Sequence, residues 1–139
     1  MTKILVVEDN RANMKLAILL LQKAGYSVLS AMDAEAGLTL AQTEQPDLIL
    51  MDIQLPGMDG LVATTMLKRN LATRTIPVIA LTALAMKGDE ERCRGAGCDG
   101  YISKPLHYQE LLAEIKTQLA KRDYSLYSSK EPNKEESPP

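Results

Sequence analysis

The chain alternates short apolar runs with longer segments whose apolar residues recur at helical spacing. The apolar runs are Ile4–Val7, Val28–Leu29, Leu48–Met51, Val78–Leu81 and Tyr101–Ile102. Three of these runs are apolar at every position, which is typical of strands that are covered on both faces. The pattern therefore predicts five strands of a largely buried sheet.

Helical spacing predicts a helix after each strand. The predicted helices cover residues 10–24, 33 to about 42, 59–70, 88–96 and 107–121. Gly25 ends the first of them, and Asp33 can cap the second. Strand–helix alternation with short links predicts an α/β, doubly wound fold, in which helices cover both faces of a parallel sheet.

The composition changes after Lys121. Residues 122–139 are rich in Ser, Lys, Glu and Pro, and the chain ends in Glu-Glu-Ser-Pro-Pro. Such a segment has too few apolar groups to offset the entropy of ordering. We predict one domain over residues 1–121 and a disordered tail over residues 122–139.

Charge and cysteine content exclude several classes of protein. The 139 residues carry a net charge of −2, so no basic surface for nucleic acid is expected. No apolar run approaches the roughly 20 residues that span a bilayer, and we expect no export signal, because acids follow the short apolar run near Met1 at once. Cys93, Cys98 and the single histidine, His107, cannot complete a four-ligand zinc site. We expect a reduced, cytoplasmic protein that binds neither membrane nor nucleic acid directly.

Polar residues stand where the predicted strands end. Glu8 and Asp9 end the first strand, Asp52 ends the third, Thr82 ends the fourth, and Lys104 follows the fifth. Because ligands of doubly wound folds bind beyond the carboxyl ends of the strands, these side chains are expected to converge on one edge of the sheet.

Three converging carboxylates cannot all stay ionised without compensation. A hard cation such as Mg²⁺ would compensate them, since it prefers oxygen ligands and keeps several waters. We expect Asp9 and Asp52 to be direct ligands, together with the backbone carbonyl of Gln54. Glu8 is expected to act through a bound water.

The same residues suit phosphoryl transfer. An ionised Asp52 is already a nucleophile and needs no general base. Mg²⁺ and Lys104 would neutralise the phosphoryl oxygens, and Thr82 would donate a hydrogen bond to them. His107 lies after Pro105 at an expected helix start, so we assign it to the helix end or to the surface and not to catalysis.

Each of these residues also has a simpler explanation when taken alone. Asp9 could cap the first helix, and Asp52 could be a loop residue before a turn. Thr82 could be an ordinary strand residue, and Lys104 could be merely solvated. Their joint position at the ends of the correct strands favours a common site.

Four segments together resemble the receiver domain of two-component response regulators, the CheY-like superfamily. The segments are Ile4–Asn10, Asp47–Gly60, Pro77–Ala83 and Gly97–Pro105, and they lie within a match from about Lys3 to Lys121. Asn10 after the acid pair, and the run Met86–Asp89, further resemble the single-domain, DivK-like cell-cycle regulators.

The resemblance implies a fold and a set of residue roles. The fold would be a flavodoxin-like (βα)5 sandwich with the strand order 2-1-3-4-5. Asp52 would be the phosphoacceptor, and Thr82 and Tyr101 would form a switch. The peptide bond before Pro105 would be cis. The expected cofactor is Mg²⁺.

The resemblance also implies the activity and the partners. The chain would be a signalling phosphoacceptor rather than an enzyme, and would take its phosphoryl group from a sensor histidine kinase or a histidine phosphotransfer protein. A downstream effector or kinase would bind the surface of the fourth helix, fifth strand and fifth helix. The chain would be a monomer or a phosphorylation-dependent dimer. Gln54 and Leu84 would border the path of the hydrolytic water, and Leu84 cannot hold water by a hydrogen bond, so slow self-dephosphorylation is expected.

Two other functions remain open. A Mg²⁺-dependent phosphohydrolase usually has a second acid two residues after its aspartyl nucleophile, where this chain has Gln54. A phosphorylation-independent adaptor would have the receiver fold with a decayed site, and the presence of all five key residues argues against it. A dinucleotide-binding fold is disfavoured, because the first strand leads into Glu8-Asp9 and not into a glycine-rich turn.

Overall fold

The computed structural model describes residues 1–83 and 87–130. Five strands alternate with five helices along the chain, as the apolar pattern predicts. The strands are β1 (Lys3–Val7), β2 (Ser27–Ala31), β3 (Leu48–Asp52), β4 (Val78–Thr82) and β5 (Gly100–Ser103). The helices are α1 (Arg11–Lys23), α2 (Ala34–Glu44), α3 (Gly60–Arg69), α4 (Lys87–Ala96) and α5 (Tyr108–Lys130).

The strands form one parallel sheet in the order β2-β1-β3-β4-β5. This confirms the doubly wound, flavodoxin-like fold. Val7 is paired with Met51, Asp52 with Leu81, and Thr82 with Ser103. The register therefore brings the carboxyl ends of β1, β3, β4 and β5 to the same edge of the sheet.

Alternation within the buried strands divides the core between the two faces of the sheet. Ile4 and Val6 of β1 pack with the apolar sides of α1 and α5, whereas Leu5 and Val7 pack with those of α2 and α3. A third, smaller cluster joins Ala80 of β4 to α4. A strand that is covered on both faces has no polar side, which explains the uninterrupted apolar runs in the sequence.

Side-chain caps define the starts of three helices. Asn10, Asp33 and Asp59 each accept a hydrogen bond from the backbone N–H three residues later. Asp33 confirms the predicted cap of α2. The cap of α1 is Asn10 and not Asp9, so the simpler explanation of Asp9 as a helix cap is wrong. The Asp9 carboxylate is thereby left for another role.

The last helix differs most from its prediction. It was expected to end at Lys121, but α5 continues to Lys130, so residues 122–130 are helical in the structure. The Arg122 Nη1 donates to the backbone oxygen of Asp47 at 3.2 Å and to its Oδ1 at 3.0 Å. These bonds join α5 to the start of β3, and composition alone could not have revealed them. Residues 131–139 lie outside the described residues.

Helix α5 is the longest of the described helices, but Lys, Arg, Glu and Asp occur throughout it. Within the described parts of the chain, no helix combines the length and the hydropathy that crossing a membrane would require.

Candidate functional site

Three carboxylates meet at the carboxyl edge of the sheet. Single oxygens of Glu8, Asp9 and Asp52 lie within 4.8 Å of one another. Glu8 is 2% exposed and Asp52 is 3% exposed, whereas Asp9 is open to solvent. The simpler explanation of Asp52 as a loop residue is therefore wrong, because Asp52 is the buried last residue of β3.

Local backbone turns orient the two buried carboxylates. The backbone N–H of Asn10 donates to Oε2 of Glu8 at 3.1 Å, and that of Gln54 donates to Oδ1 of Asp52 at 3.0 Å. In each case the donor lies two residues after the acid, where the strand has ended and the chain turns. One oxygen of each carboxylate is thus held in place, and the other remains for a second partner.

That second partner is the ammonium group of Lys104, which follows β5. Its Nζ lies 2.6 Å from Oε1 of Glu8 and 3.1 Å from Oδ2 of Asp52. Its backbone N–H donates to the backbone oxygen of Thr82 at 2.7 Å, which fixes the chain beside the end of β4. The peptide bond between Lys104 and Pro105 is cis, in agreement with the resemblance.

The environment shifts the pKa values of two of these groups. Burial raises the pKa of Glu8, and the hydrogen bond from Lys104 offsets part of that rise. Burial acts to lower the pKa of Lys104, but its hydrogen bonds to Glu8 and Asp52 outweigh burial and raise the pKa overall. Lys104 is therefore a permanent cation at neutral pH.

The charges at this edge do not balance. Among the described side chains, Glu8 and Asp52 share one ammonium, that of Lys104, and Asp9 adds a third carboxylate, so the site favours a further cation once all three are ionised. The donors are oxygens, two of them are buried and oriented, and the third faces solvent, where water ligands can reach a metal. This donor set fits Mg²⁺, which takes a few carboxylates and retains waters.

Gly60 is a site residue that the sequence did not reveal as such, because Pro56–Gly60 reads mainly as a turn. A Cβ at Gly60 would collide with the backbone oxygen of Asp52 and lie 2.8 Å from Cα of Ile53. The backbone N–H of Gly60 donates to the oxygen of Ile53 at 3.2 Å. In the sequence, the only sign of this role for Gly60 is that a glycine directly follows Asp59, the residue that caps α3.

The two expected switch residues lie on neighbouring strands. Thr82 is buried at the end of β4. Tyr101 of β5 is half-buried and packs against the cluster that includes Ala80 and Cys93. The structure brings Glu8, Asp9, Asp52 and Lys104 into direct proximity, with Thr82 at the adjacent strand end, whereas Tyr101 lies in a separate cluster.

Three further residues named in the sequence analysis have the following positions. His107 is exposed just before α5, and Cys93 is buried in α4. The backbone N–H of Gln54 binds Asp52, while its carbonyl as a metal ligand stays a prediction. Leu84 lies outside the described residues.

Comparison with known proteins agrees with this geometry. The sequence profile of the response regulator receiver domain matches residues 4–116. The chain therefore belongs to the family of response regulator receiver domains.

Its relatives include DivK-type regulators. The polar-differentiation response regulator DivK of Brucella ovis is 50% identical over 120 residues, which are 86% of this chain and 98% of DivK. The corresponding protein of Brucella anthropi is 49% identical over 84% of this chain and 94% of its own length. These relatives confirm the resemblance to DivK-like regulators.

Solved structures show the same fold. A putative response regulator from Chloroflexus aurantiacus has a TM-score of 0.83 and 31% identity, and covers 86% of this chain and 98% of its own. The receiver domain of a sensor histidine kinase from Pseudomonas aeruginosa has a TM-score of 0.80 and 36% identity, with the same coverage. That domain was solved with a magnesium ion coordinated in its active site cleft.

Proposed function

We propose that this receiver domain accepts a phosphoryl group on Asp52 from a phosphohistidine of a sensor histidine kinase or of a histidine phosphotransfer protein. One observation carries the proposal. The Asp52 carboxylate is buried at the carboxyl edge of the sheet, is oriented by the Gln54 N–H, and lies 3.1 Å from the Lys104 ammonium. A carboxylate held in this way is a prepared nucleophile with a cation beside it.

Asp52 forms the new bond to phosphorus while the bond from phosphorus to the imidazole nitrogen breaks, and the donor histidine leaves with that electron pair. Lys104 is close enough to bind a phosphoryl oxygen, and Thr82 ends the neighbouring strand. Mg²⁺ would be held by Asp9, Asp52 and the Gln54 carbonyl, with Glu8 acting through water. When bound, Mg²⁺ would neutralise part of the negative charge on the phosphoryl oxygens.

The site is a phosphoacceptor rather than a turnover site. Asp52 is the proposed nucleophile, and Gln54 occupies the position where phosphohydrolases use a second acid. We propose that the aspartyl phosphate is hydrolysed only slowly, with a neighbouring water as the attacking group. The contribution of Leu84 to this rate stays a prediction, since that residue lies outside the described residues.

The donor is proposed to dock over α1, beside the site. Leu16 and Leu19 on α1 are 40% and 59% exposed, which is unusual for large apolar side chains. Leu16 also lines a small cavity of about 40 Å³ together with Lys104 and Pro105. An apolar surface that borders the phosphoacceptor can hold a protein donor in the orientation that transfer requires.

Phosphorylation is proposed to alter the surface of α4, β5 and α5. Thr82 would turn toward the new phosphoryl group, and Tyr101 would move into the space behind it. A downstream effector or kinase that prefers this arrangement would then shift the population toward it. Substitution of Tyr101 by Ala is expected to remove the dependence of partner binding on phosphorylation without blocking phosphorylation itself.

Intact-protein mass spectrometry tests the phosphoacceptor. After incubation with Mg²⁺ and acetyl phosphate, the parent is expected to gain about 80 Da, the mass of one phosphoryl group on a carboxylate. Asp52→Asn should gain nothing, and chelation of Mg²⁺ should prevent the gain. Asp47→Asn, which lies just before the amino-terminal end of the same strand, should still be phosphorylated. Should Asp52→Asn gain the same mass as the parent, the proposal would be overturned.

A phosphohistidine donor tests the docking surface separately. Leu19→Glu is expected to slow transfer from a histidine phosphotransfer protein but to leave phosphorylation by acetyl phosphate unchanged, because only the protein donor needs α1. Equal slowing with both donors would show that the substitution acts on the site and would contradict docking at α1.

A further inference from the structure

The two cysteines of the chain come together at the carboxyl end of α4. Gly97 follows the helix with a φ of 103°, in the left-handed region that favours glycine. Its N–H donates to the backbone oxygen of Arg94 at 3.0 Å, and the N–H of Cys98 donates to that of Cys93 at 3.0 Å. These two bonds define a Schellman motif, in which the side chains at the positions of Cys93 and Cys98 commonly contact each other. Local backbone geometry therefore brings both thiols to one place.

The two thiols are free and close enough to be joined. They lie within hydrogen-bonding reach of each other. Because a hydrogen bond of 3.0 Å joins the backbones of Cys93 and Cys98, bond lengths keep their two Cα atoms within about 7 Å of each other. Disulfides can join residues whose Cα atoms are up to about 7 Å apart. The backbone thus already brings the pair into the range that a disulfide can span.

A cavity gives a small oxidant access to the pair. It lies between α4, β5 and α5, has a volume of about 240 Å³, and is lined by Cys93, Cys98 and Tyr101 among others. One water occupies roughly 30 Å³ of liquid. Hydrogen peroxide has one oxygen more, so the cavity can admit it. Cys98 is half-buried whereas Cys93 is buried, so we expect the oxidant to meet Cys98 first.

Cys93 also holds α4 against the rest of the fold. Among the described side chains of this helix, Cys93 and Asp89 are buried, and the others are partly or fully exposed. Cys93 packs with Ala80, and Tyr101 packs against the same cluster. Charged residues and glycines make up most of α4, so the helix has little else to anchor it. A new bond at the Cys93 sulfur would therefore change how α4 packs beside Tyr101.

We propose that Cys93 and Cys98 are an oxidisable pair, which a hydroperoxide converts into an intrachain disulfide that alters the α4–β5–α5 surface. With hydrogen peroxide, the Cys98 sulfur attacks one oxygen, the O–O bond breaks, and a sulfenic acid and one water are formed. The Cys93 sulfur then attacks the Cys98 sulfur, and the hydroxyl group leaves as a second water. The two thiol protons end in the two waters. The peroxide is reduced by two electrons, which the two sulfurs supply.

The surroundings of the pair set the rate of this reaction. Burial raises the pKa of Cys98 to about 12, and it also raises the pKa of Cys93. Because the thiolate is the form that attacks, oxidation is slow at neutral pH. The rate should rise about tenfold per pH unit up to about pH 9, since the thiolate fraction grows in that proportion well below the pKa. The pair therefore stays reduced at low peroxide and responds to prolonged exposure.

The test treats the full chain with millimolar hydrogen peroxide and counts thiols by alkylation after denaturation, a readout that oxidised methionines do not change. The parent is expected to fall from two thiols per chain to none and to recover both with dithiothreitol. Trypsin cleaves after Arg94, so the peptides that carry Cys93 and Cys98 should be recovered as one disulfide-linked species. A thiol count that stays at two, irreversibly oxidised separate peptides, or disulfides between chains would overturn the proposal.

Two variants assign the pairing. In Cys98→Ser, the buried Cys93 should keep its thiol at least about tenfold longer than in the parent. Cys93→Ala should form no disulfide within the chain. Loss of the Cys93 thiol at the parental rate in Cys98→Ser would show that the two residues react independently and would overturn the pairing. Asp52→Asn should be oxidised as the parent is, so a failure of phosphorylation and a failure of this pair would be seen in different experiments.

Amide chemical shifts of the reduced and the oxidised full chain test the effect on the surface. Oxidation is expected to shift the signals of Ala80 and Tyr101, and dithiothreitol should restore them. Val28 of β2, at the other edge of the sheet, should keep its signal in both states. Changes confined to the two cysteines and their chain neighbours would overturn the proposed effect on the α4–β5–α5 surface.

Discussion

The two edges of the sheet contain similar charged residues that serve different purposes. At the amino-terminal edge, Asp47 accepts the backbone N–H of Lys3 at 2.8 Å and pairs with Arg122 at 3.0 Å. Asp99 accepts the backbone N–H of Val78 at 2.9 Å and pairs with Lys68 at 2.8 Å. Each carboxylate there has one backbone donor and one cation.

The carboxyl-terminal edge repeats this motif without balancing its charges. Glu8 and Asp52 also have one backbone donor each, but within the part of the chain that the structure describes they share a single cation, Lys104, and Asp9 adds a third negative charge. A balanced pair joins elements of the fold, whereas an unbalanced cluster is stable only while it can take up another cation or lose a charge. The excess of charge, more than the presence of acids, distinguishes the functional edge.

The largest effect is expected when the shared cation is removed. Lys104→Met should lower the rate of phosphorylation by acetyl phosphate about 100-fold or more, because an oriented charge at the reacting oxygens typically contributes that much. Lys68→Met removes the corresponding cation at the amino-terminal edge and should leave the rate unchanged. Time courses by intact mass measure both variants, and comparable losses in the two would break the comparison.

Mg²⁺ is expected to stabilise the folded protein only by binding at the carboxyl-terminal edge, where the charges are unbalanced. At ten to one hundred times its dissociation constant, the metal should raise the free energy of unfolding of the parent by about 1.4–2.7 kcal/mol. Asp9→Asn removes one proposed ligand and should lose most of this gain, whereas Asp47→Asn should retain it. Urea unfolding with and without Mg²⁺ measures the difference. A gain that persists in Asp9→Asn would place the metal elsewhere.

The balanced edge should contribute a modest amount of stability. Arg122 and Asp47 are both partly exposed, so solvent screens their attraction. A double-mutant cycle with Asp47→Asn and Arg122→Gln is expected to give a coupling free energy of about 0.5–1 kcal/mol. The same variants should be phosphorylated at the parental rate, and a slower rate would show that the two edges are not independent.

The smallest effect on stability is expected from the substitution Glu8→Gln in the absence of metal. Its raised pKa means that the folded state binds this proton more tightly than the unfolded state does. Stability therefore falls as pH rises from the ordinary carboxyl value through the raised one. Glu8→Gln should be slightly more stable than the parent at pH 7, and the difference should vanish at acidic pH, where both states of the parent are protonated.

Urea unfolding across this pH range measures the effect of Glu8→Gln, with the exposed Glu110→Gln as its control. A variant that is less stable than the parent at pH 7 would show that the hydrogen bond with Lys104 outweighs the cost of burying the charge.

Much of the site could be predicted because, in this fold, the position of a residue at the end of a strand determines where it lies in space. In a parallel doubly wound sheet, every strand ends at the same edge, so Glu8, Asp9, Asp52 and Thr82 had to approach one another once the strands were recognised. Lys104 could be included because it follows the last strand. Their roles as phosphoacceptor and metal ligands rest on the resemblance and on the chemistry of these groups.

Other features could not be predicted, because they depend on contacts between distant parts of the chain. Gly60 looked like a turn residue until the backbone of Asp52 was seen against it. The helical segment after Lys121 looked like a tail, since its composition does not show that Arg122 reaches Asp47, 75 residues earlier.

The sequence by itself determined the order of the strands along the chain, the buried character of the sheet and the chemistry at its carboxyl edge. These follow from local apolar patterns and from which residue ends each strand. Only the tertiary structure decided that Lys104 contacts both Glu8 and Asp52, and that Gln118 orients the carboxylate of Glu114 by a hydrogen bond. The physical reason is that charges compensate one another only when they lie within a few ångströms. Packing sets those distances, and sequence position does not.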